Sequence, residues 1–170
     1  HKIFKKYINP NFVETGTFMG DGVESALKYG FENIYSIELS RKLYEDCCNK
    51  FKDNKKVHLF CGDSGKILGD VISNIKTPIT FWLDGHFHPD GKIRKDNINK
   101  VPWSKSEYID EWTPILDEIS LIKDHTIKNH VIIIDDINEM KKEQYGRISV
   151  DTLKEKIKEI NSKYVFEQYG

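Results

Sequence analysis

Short apolar runs alternate along the chain with longer stretches in which apolar residues recur at helical spacing. The first run, Asn11 to Thr17 (NFVETGT), leads through a glycine-punctuated turn into Gly22 to Tyr29, which predicts a strand, a loop and a helix. The same alternation continues over Asn33 to Leu39 and Arg41 to Phe51, over Val57 to Gly62 and Lys66 to Ile75, and begins again at Pro78 to Leu83. Strand-helix units in series imply parallel strands joined by right-handed crossovers.

Between Asp84 and Trp112 the periodicity fails, interrupted by Gly85, Pro89, Gly91 and Pro102. An irregular stretch of this length inside a compact domain is a functional loop or a disordered one. We assign residues 85–112 as a lid-like insertion. Order resumes with a helix over Pro114 to Lys123, a fifth strand over Val131 to Asp135, a helix over Val150 to Ile160 and a short last strand over Tyr164 to Gln168. The fold expected is α/β: a doubly wound, mostly parallel sheet in the order 3-2-1-4-5-6, formed by a single domain over 1–170. In such a sheet ligands bind at the carboxyl ends of strands 1, 2 and 4, near the point where strand order reverses.

Composition narrows the partners. Lys and Arg total 26 against 27 Asp and Glu, for a net charge of −1, which offers no basic excess for nucleic acid. No apolar run approaches the roughly 18 residues of a membrane span, so no membrane partner is expected. Three cysteines, Cys47, Cys48 and Cys61, have neither a disulfide framework nor a metal-ligand spacing, which fits a reducing, cytoplasmic setting. The chain begins at His1 without a methionine or a signal pattern, so we expect a domain excised from a longer polypeptide. An unpaired last strand would favour a homodimer or neighbouring domains.

Two constellations carry chemistry. The first strand ends in Glu14-Thr15-Gly16-Thr17-Phe18-Met19-Gly20-Asp21-Gly22, where glycines allow a tight turn and a close backbone approach just before a helix N-terminus. Glycines are common in any strand-to-helix turn, so the loop alone says little. Glu38 ends the second strand 22 positions past Gly16, near the spacing of about 20 at which an acid receives ribose hydroxyls. Gly62-Asp63-Ser64 places a third polar group on the same edge.

The second constellation joins Asp84-Gly85-His86 after the fourth strand to Asp135-Asp136-Ile137-Asn138 after the fifth. Converging carboxylates repel one another unless a hard divalent cation takes their oxygens. A helix cap and a solvated acid would equally account for any one of them. His86 and His88 alternate, which leaves a zinc or iron reading open.

The segment FVETGTFMGDGVESAL resembles the opening of the class I S-adenosylmethionine-dependent methyltransferases, and in particular the catechol and caffeoyl-CoA O-methyltransferases. The resemblance spans roughly Asn11 to Asp136. It implies a Rossmann-like methyltransferase sheet, with Glu14, Thr15, Gly16, Thr17 and Gly20 facing the methionine part of S-adenosyl-L-methionine, Glu38 the ribose, and Asp63 with Ser64 the adenine. Phe18 and Met19 stand where the commonest motif has a further glycine, a departure that the metal-dependent O-methyltransferases share.

The antibiotic-sugar enzymes of the macrocin and novobiocin pathways hold Mg2+ with acids in the layout of Asp84, Asp135 and Asp136. The resemblance therefore implies Mg2+ or another divalent cation here, lowering the pKa of an acceptor hydroxyl whose proton passes to Asp84 or His86. The expected activity is O-methyl transfer to a small acceptor, with a sugar or glycan preferred. Phe87, Trp103, Tyr108 and Trp112, with Arg94 and Lys95, are the lid residues available to stack on it. Three other readings remain: a metal-dependent hydrolase or phosphoryl-transfer domain, a non-catalytic cofactor-binding module, and a nicotinamide-dependent dehydrogenase. The last is disfavoured because its turn needs two glycines one residue apart.

Overall fold

The computed structural model describes residues 2–86, 113–142 and 146–169. The lid-like segment, with Phe87, His88, Arg94, Lys95, Trp103, Tyr108 and Trp112, lies outside the described residues. Five parallel strands, β1 (Asn11–Thr15), β2 (Asn33–Glu38), β3 (Val57–Cys61), β4 (Ile79–Leu83) and β5 (Val131–Ile134), pair in the order β3-β2-β1-β4-β5. Helices α1 (Asp21–Tyr29), α2 (Arg41–Phe51), α3 (Ser64–Ile72), α4 (Ile115–Asp124) and α5 (Val150–Ile160) cover the two faces. None of the described helices is long and apolar enough to cross a membrane.

Strand alternation sorts the core into two layers. Phe12, Ile34 and Trp82 pack with Phe4, Val23, Ala26 and Phe51 on the α1 and α2 side. Val13, Ile37, Phe81 and Leu83 pack with Leu68, Ile72, Ile115, Ile119 and Ile157 on the side of α3, α4 and α5. All five residues of β1 are buried, as a central parallel strand covered on both faces requires. Phe12 and Phe4 meet at 4.8 Å and Phe4 and Trp82 at 4.9 Å, so an N-terminal turn over Lys2–Lys6 closes the first layer.

The sixth strand expected over Tyr164 to Gln168 does not form: this stretch has no strand pairing, and among the described residues the sheet ends at β5. Only Tyr164 packs against the core, while Val165 is 85% exposed and Phe166 37%, so the stretch has no continuous buried face. Its polar groups turn to the N-terminal segment, where Glu167 pairs with Lys6 at 2.5 Å and accepts the Tyr7 hydroxyl at 2.9 Å.

At the amino ends of the strands, His125 and His130 form a buried chain whose tautomers follow from their partners. The Ile79 amide donates to His130 Nδ1 at 3.1 Å, so the proton of His130 is on Nε2 and points at His125 Nδ1, 3.2 Å away. His125 Nε2 then donates to the carbonyls of Ile72 and Ile75. Burial, with His125 beside it, pushes His130 down to about 4. These histidines tie loops together at the end of the sheet opposite the candidate site.

Candidate functional site

The carboxyl ends of β1, β2 and β4 bring the first constellation together. The amides of Gly16 and Thr17 both donate to the Ile37 carbonyl, turning the chain out of β1, and Gly16 adopts φ +84°. A Cβ on Gly16 would lie 2.7 Å from the Asp84 carbonyl oxygen, so the turn after β1 touches the turn after β4. Glu38 is 5% exposed, and its two oxygens accept the amides of Phe18 and Ser40, each at 2.8 Å. Phe18 is held at φ +48°, a sparsely populated conformation for a bulky residue that marks a constrained site. The loop is further fastened to α2, where the Lys50 ammonium donates to the Met19 carbonyl.

Beneath that loop a buried network joins Glu14, Ser36 and Thr17. The Ser36 hydroxyl donates to Glu14 Oε2 at 2.5 Å and lies 2.6 Å from the Thr17 hydroxyl. A Cβ at Gly22 would stand 1.7 Å from Glu14 Oε1, so any larger residue there would have to displace the buried carboxyl group. Burial raises the Glu14 carboxyl to about 8, against the Ser36 hydrogen bond.

A carboxyl raised in the folded state gives stability that is present below its ordinary value and lost as pH rises through the folded value. From Glu14 alone the protein is therefore expected to lose about 1–2 kcal/mol between pH 7 and 9, with Glu118, raised to about 7, adding a smaller loss at the lower end of that range. Glu14→Gln should flatten that limb in thermal melts; an unchanged slope would contradict the assignment.

The second constellation gathers around His86. Its Nδ1 lies 3.4 Å from Asp84 Oδ1 and its Nε2 lies 3.3 Å from Asp136 Oδ2. Burial works against its charge, but Asp84 and then Asp136 hold it above the ordinary histidine value. One ligand atom from each of Asp84, His86 and Asp136 lies within 4.8 Å of the others. Asp135 is not in this group: its Oδ1 accepts the Asp136 amide at 2.9 Å, helping to hold Asp136 at φ +46°. His86 thus stands where the sequence layout had placed a third carboxylate. One imidazole and two carboxylates suit Mn2+, Fe2+ or Zn2+ as well as Mg2+.

The predicted adenine-side pair separates. Asp63 caps α3 by accepting the Gly65 amide at 3.0 Å and pairs with Lys66, whereas the buried Ser64 hydroxyl turns inward to Glu118 Oε1 at 2.5 Å. Thr15 likewise belongs to the α3 and α4 side, and its hydroxyl lies below the loop. Sequence reasoning passed over Ser36 and Glu118. Each left a signal: Ser36 is a small polar residue within a strand, and Glu118 falls on the Ile115, Ile119 and Ile122 face of a helix.

No protein-family model matches the chain, and no curated protein matches it. Among solved structures, it is similar to an S-adenosylmethionine-dependent methyltransferase from Clostridium acetobutylicum, at 18% identity over 84% of this chain and 48% of that one, with a TM-score of 0.47. A SAM-dependent methyltransferase from Anabaena variabilis aligns at 13% identity over 94% of this chain and 60% of that one, with a TM-score of 0.49. The fibrillarin/Nop5p complex aligns at 14% identity over 95% of this chain and 67% of that one, also at 0.49. The chain thus spans about half to two-thirds of these structures. Similarity this distant assigns no activity, which has to come from the site's own geometry.

Proposed function

We propose that the chain is an S-adenosylmethionine-dependent methyltransferase domain that methylates a hydroxyl of a small acceptor, a sugar or glycan in preference to a catechol, with help from a divalent cation. The observation that carries this reading is the contact of the two constellations at Gly16, where the position of a Cβ falls 2.7 Å from the Asp84 carbonyl. Glu38 and the Gly16 turn would hold a nucleoside cofactor, and the Asp84, His86 and Asp136 cluster lies on the adjoining turn after β4, where the acceptor would be held.

The residues fit both groups. Gly16 and Gly20, at φ +84° and +83°, let the loop pack its backbone against the Asp84 turn and the Phe51 ring, which holds it at the strand ends beside Glu38. Glu38 has lone pairs beyond those used by Phe18 and Ser40, and these suit ribose hydroxyls. Glu14, neutral because it is buried, supports the loop from below without setting a second charge beside Glu38. Asp84, His86 and Asp136 would hold the cation.

When bound, the cofactor supplies a methyl group on an electrophilic sulfonium, and the cation supplies Lewis acidity toward the acceptor hydroxyl. What remains for the chain is to orient the acceptor and to receive its proton, at Asp84 or at a nitrogen of His86 that is not a ligand. The Glu14, Ser36 and Thr17 network gives the methyltransferase reading its preference over a metal-dependent hydrolase, which would use the acids but leave this network without a task.

Transfer of labelled methyl groups from S-adenosylmethionine to a sugar and catechol panel tests the proposal. Transfer should fall by about a hundredfold or more in chelator, about 3 kcal/mol of barrier, and return with Mg2+ or Mn2+. Full activity in chelator would remove the cation from the account, and transfer to nitrogen rather than oxygen would overturn the acceptor class.

A further inference from the structure

Glu118 places a carboxyl group where core stability gives no reason for one. It lies on the face of α4 that buries Ile115, Ile119 and Ile122, and it is 0% exposed. Its Oε1 accepts the Ser64 hydroxyl at 2.5 Å. Its Oε2 and the Thr15 hydroxyl oxygen are both buried with no well-formed hydrogen bond, the Thr15 hydroxyl giving the carboxyl group only a weak one. Burying a carboxyl group here carries a desolvation cost that leucine would not, offset in part by the hydrogen bond to the buried Ser64 hydroxyl, whose loss costs about 1–3 kcal/mol, so packing alone does not call for glutamate at this position.

Three chain segments converge on this carboxyl. Thr15 ends β1 and leads into the glycine-rich loop, while Ser64 begins α3. Gly85 follows β4, between Asp84 and His86, and passes so close that a Cβ on it would lie 3.1 Å from Glu118 Oε1 and 3.3 Å from Thr15 Oγ1. The same turn is fastened from the α4 side, where the Thr113 hydroxyl donates to the Gly85 carbonyl at 3.1 Å.

We propose that Glu118 is a positioning residue whose carboxyl group fixes the Gly85 turn against the end of β1 and the start of α3, and so sets Asp84 and His86 relative to the glycine-rich loop. The proposal rests on the reading that these residues face the reacting groups. Burial raises the carboxyl to about 7, with Asp63 and Asp117 adding to the rise and the Ser64 and Thr15 hydroxyls tempering it. As a neutral acid it accepts from Ser64 through one oxygen and presents a donor toward Thr15 with the other. Above pH 7 that donor is lost and a charge appears beneath the turn.

Glu118→Leu and Glu118→Gln in the whole chain separate positioning from packing. Glu118→Leu should melt at or above the wild-type temperature while its affinities for S-adenosylhomocysteine and for Mn2+ fall at least about tenfold, a difference of about 1.4 kcal/mol. Glu118→Gln keeps an acceptor and a donor, so it should bind like the wild type at pH 6.5 and lose the decline in affinity that the wild type shows between pH 6.5 and about 7.5, below the range in which Glu14 ionises. Wild-type affinities in Glu118→Leu would overturn the proposal. So would a Glu118→Leu protein that melts well below the wild type with no rescue by glutamine. If the wild type binds neither probe, the reading of the site fails, and the positioning role is then read from amide exchange at Gly85 and His86. Faster exchange in Glu118→Leu supports it, and unchanged exchange overturns it.

Discussion

Gly16→Ala should destabilise the protein by about 2–5 kcal/mol, the sum of a left-handed backbone penalty and an overpacking clash. Gly30→Ala should cost only the first of these, about 1–2 kcal/mol. Both glycines have left-handed backbones, at φ +84° and +90°. They differ in surroundings: a Cβ on Gly30, which caps α1, meets nothing within 4 Å, whereas one on Gly16 meets the backbone of Asp84 and Gly85. Backbone on both sides cannot rotate away as a side-chain tip would, so the turns after β1 and β4 must separate. Gly16→Ala should accordingly lose ligand binding, and Gly30→Ala should retain it. Chemical denaturation of the two variants measures the difference; equal costs would mean that the two turns are not in contact in solution.

Glu38→Ala should reduce affinity for S-adenosylhomocysteine by about a hundredfold or more, near 3 kcal/mol. Two effects combine. The charged acceptor for the amides of Phe18 and Ser40 disappears, leaving the loop without its clamp. Removing a charged partner from a buried donor costs on the order of 1–3 kcal/mol. The ribose hydroxyls lose their acceptor as well. A ligand lacking those hydroxyls separates the two: it should bind the wild type more weakly than S-adenosylhomocysteine, while the Glu38→Ala protein should hardly distinguish the pair. Unchanged discrimination in Glu38→Ala would leave Glu38 as a loop brace alone.

The sheet order over β1 to β5 was legible because each strand is a short apolar run bounded by a turn signal, and β1 to β3 lead directly into helices of apolar period. Tyr164 to Gln168 has similar strand propensity, yet it fails as a strand because propensity expresses fit to a half-buried pleated surface, and Val165 is left 85% exposed. The placement of Gly16, Glu38 and Asp84 at the carboxyl ends of neighbouring strands was legible, because position along a strand decides it. It was not legible where direction decides. Asp135 and Asp136 are adjacent in sequence, and only the left-handed backbone at Asp136 reveals which of them reaches His86. Glu118 was hidden for another reason: its partner Ser64 is 54 residues away, and a polar residue on an apolar helix face names no partner by itself.

The central claim, a nucleoside sulfonium site over the glycine-rich loop, is tested most directly by calorimetric titration of the protein with S-adenosylhomocysteine, with NAD as the control. The account predicts saturable binding of S-adenosylhomocysteine that weakens in Glu38→Ala, and no binding of NAD. Binding of NAD without S-adenosylhomocysteine, or of neither, would contradict it.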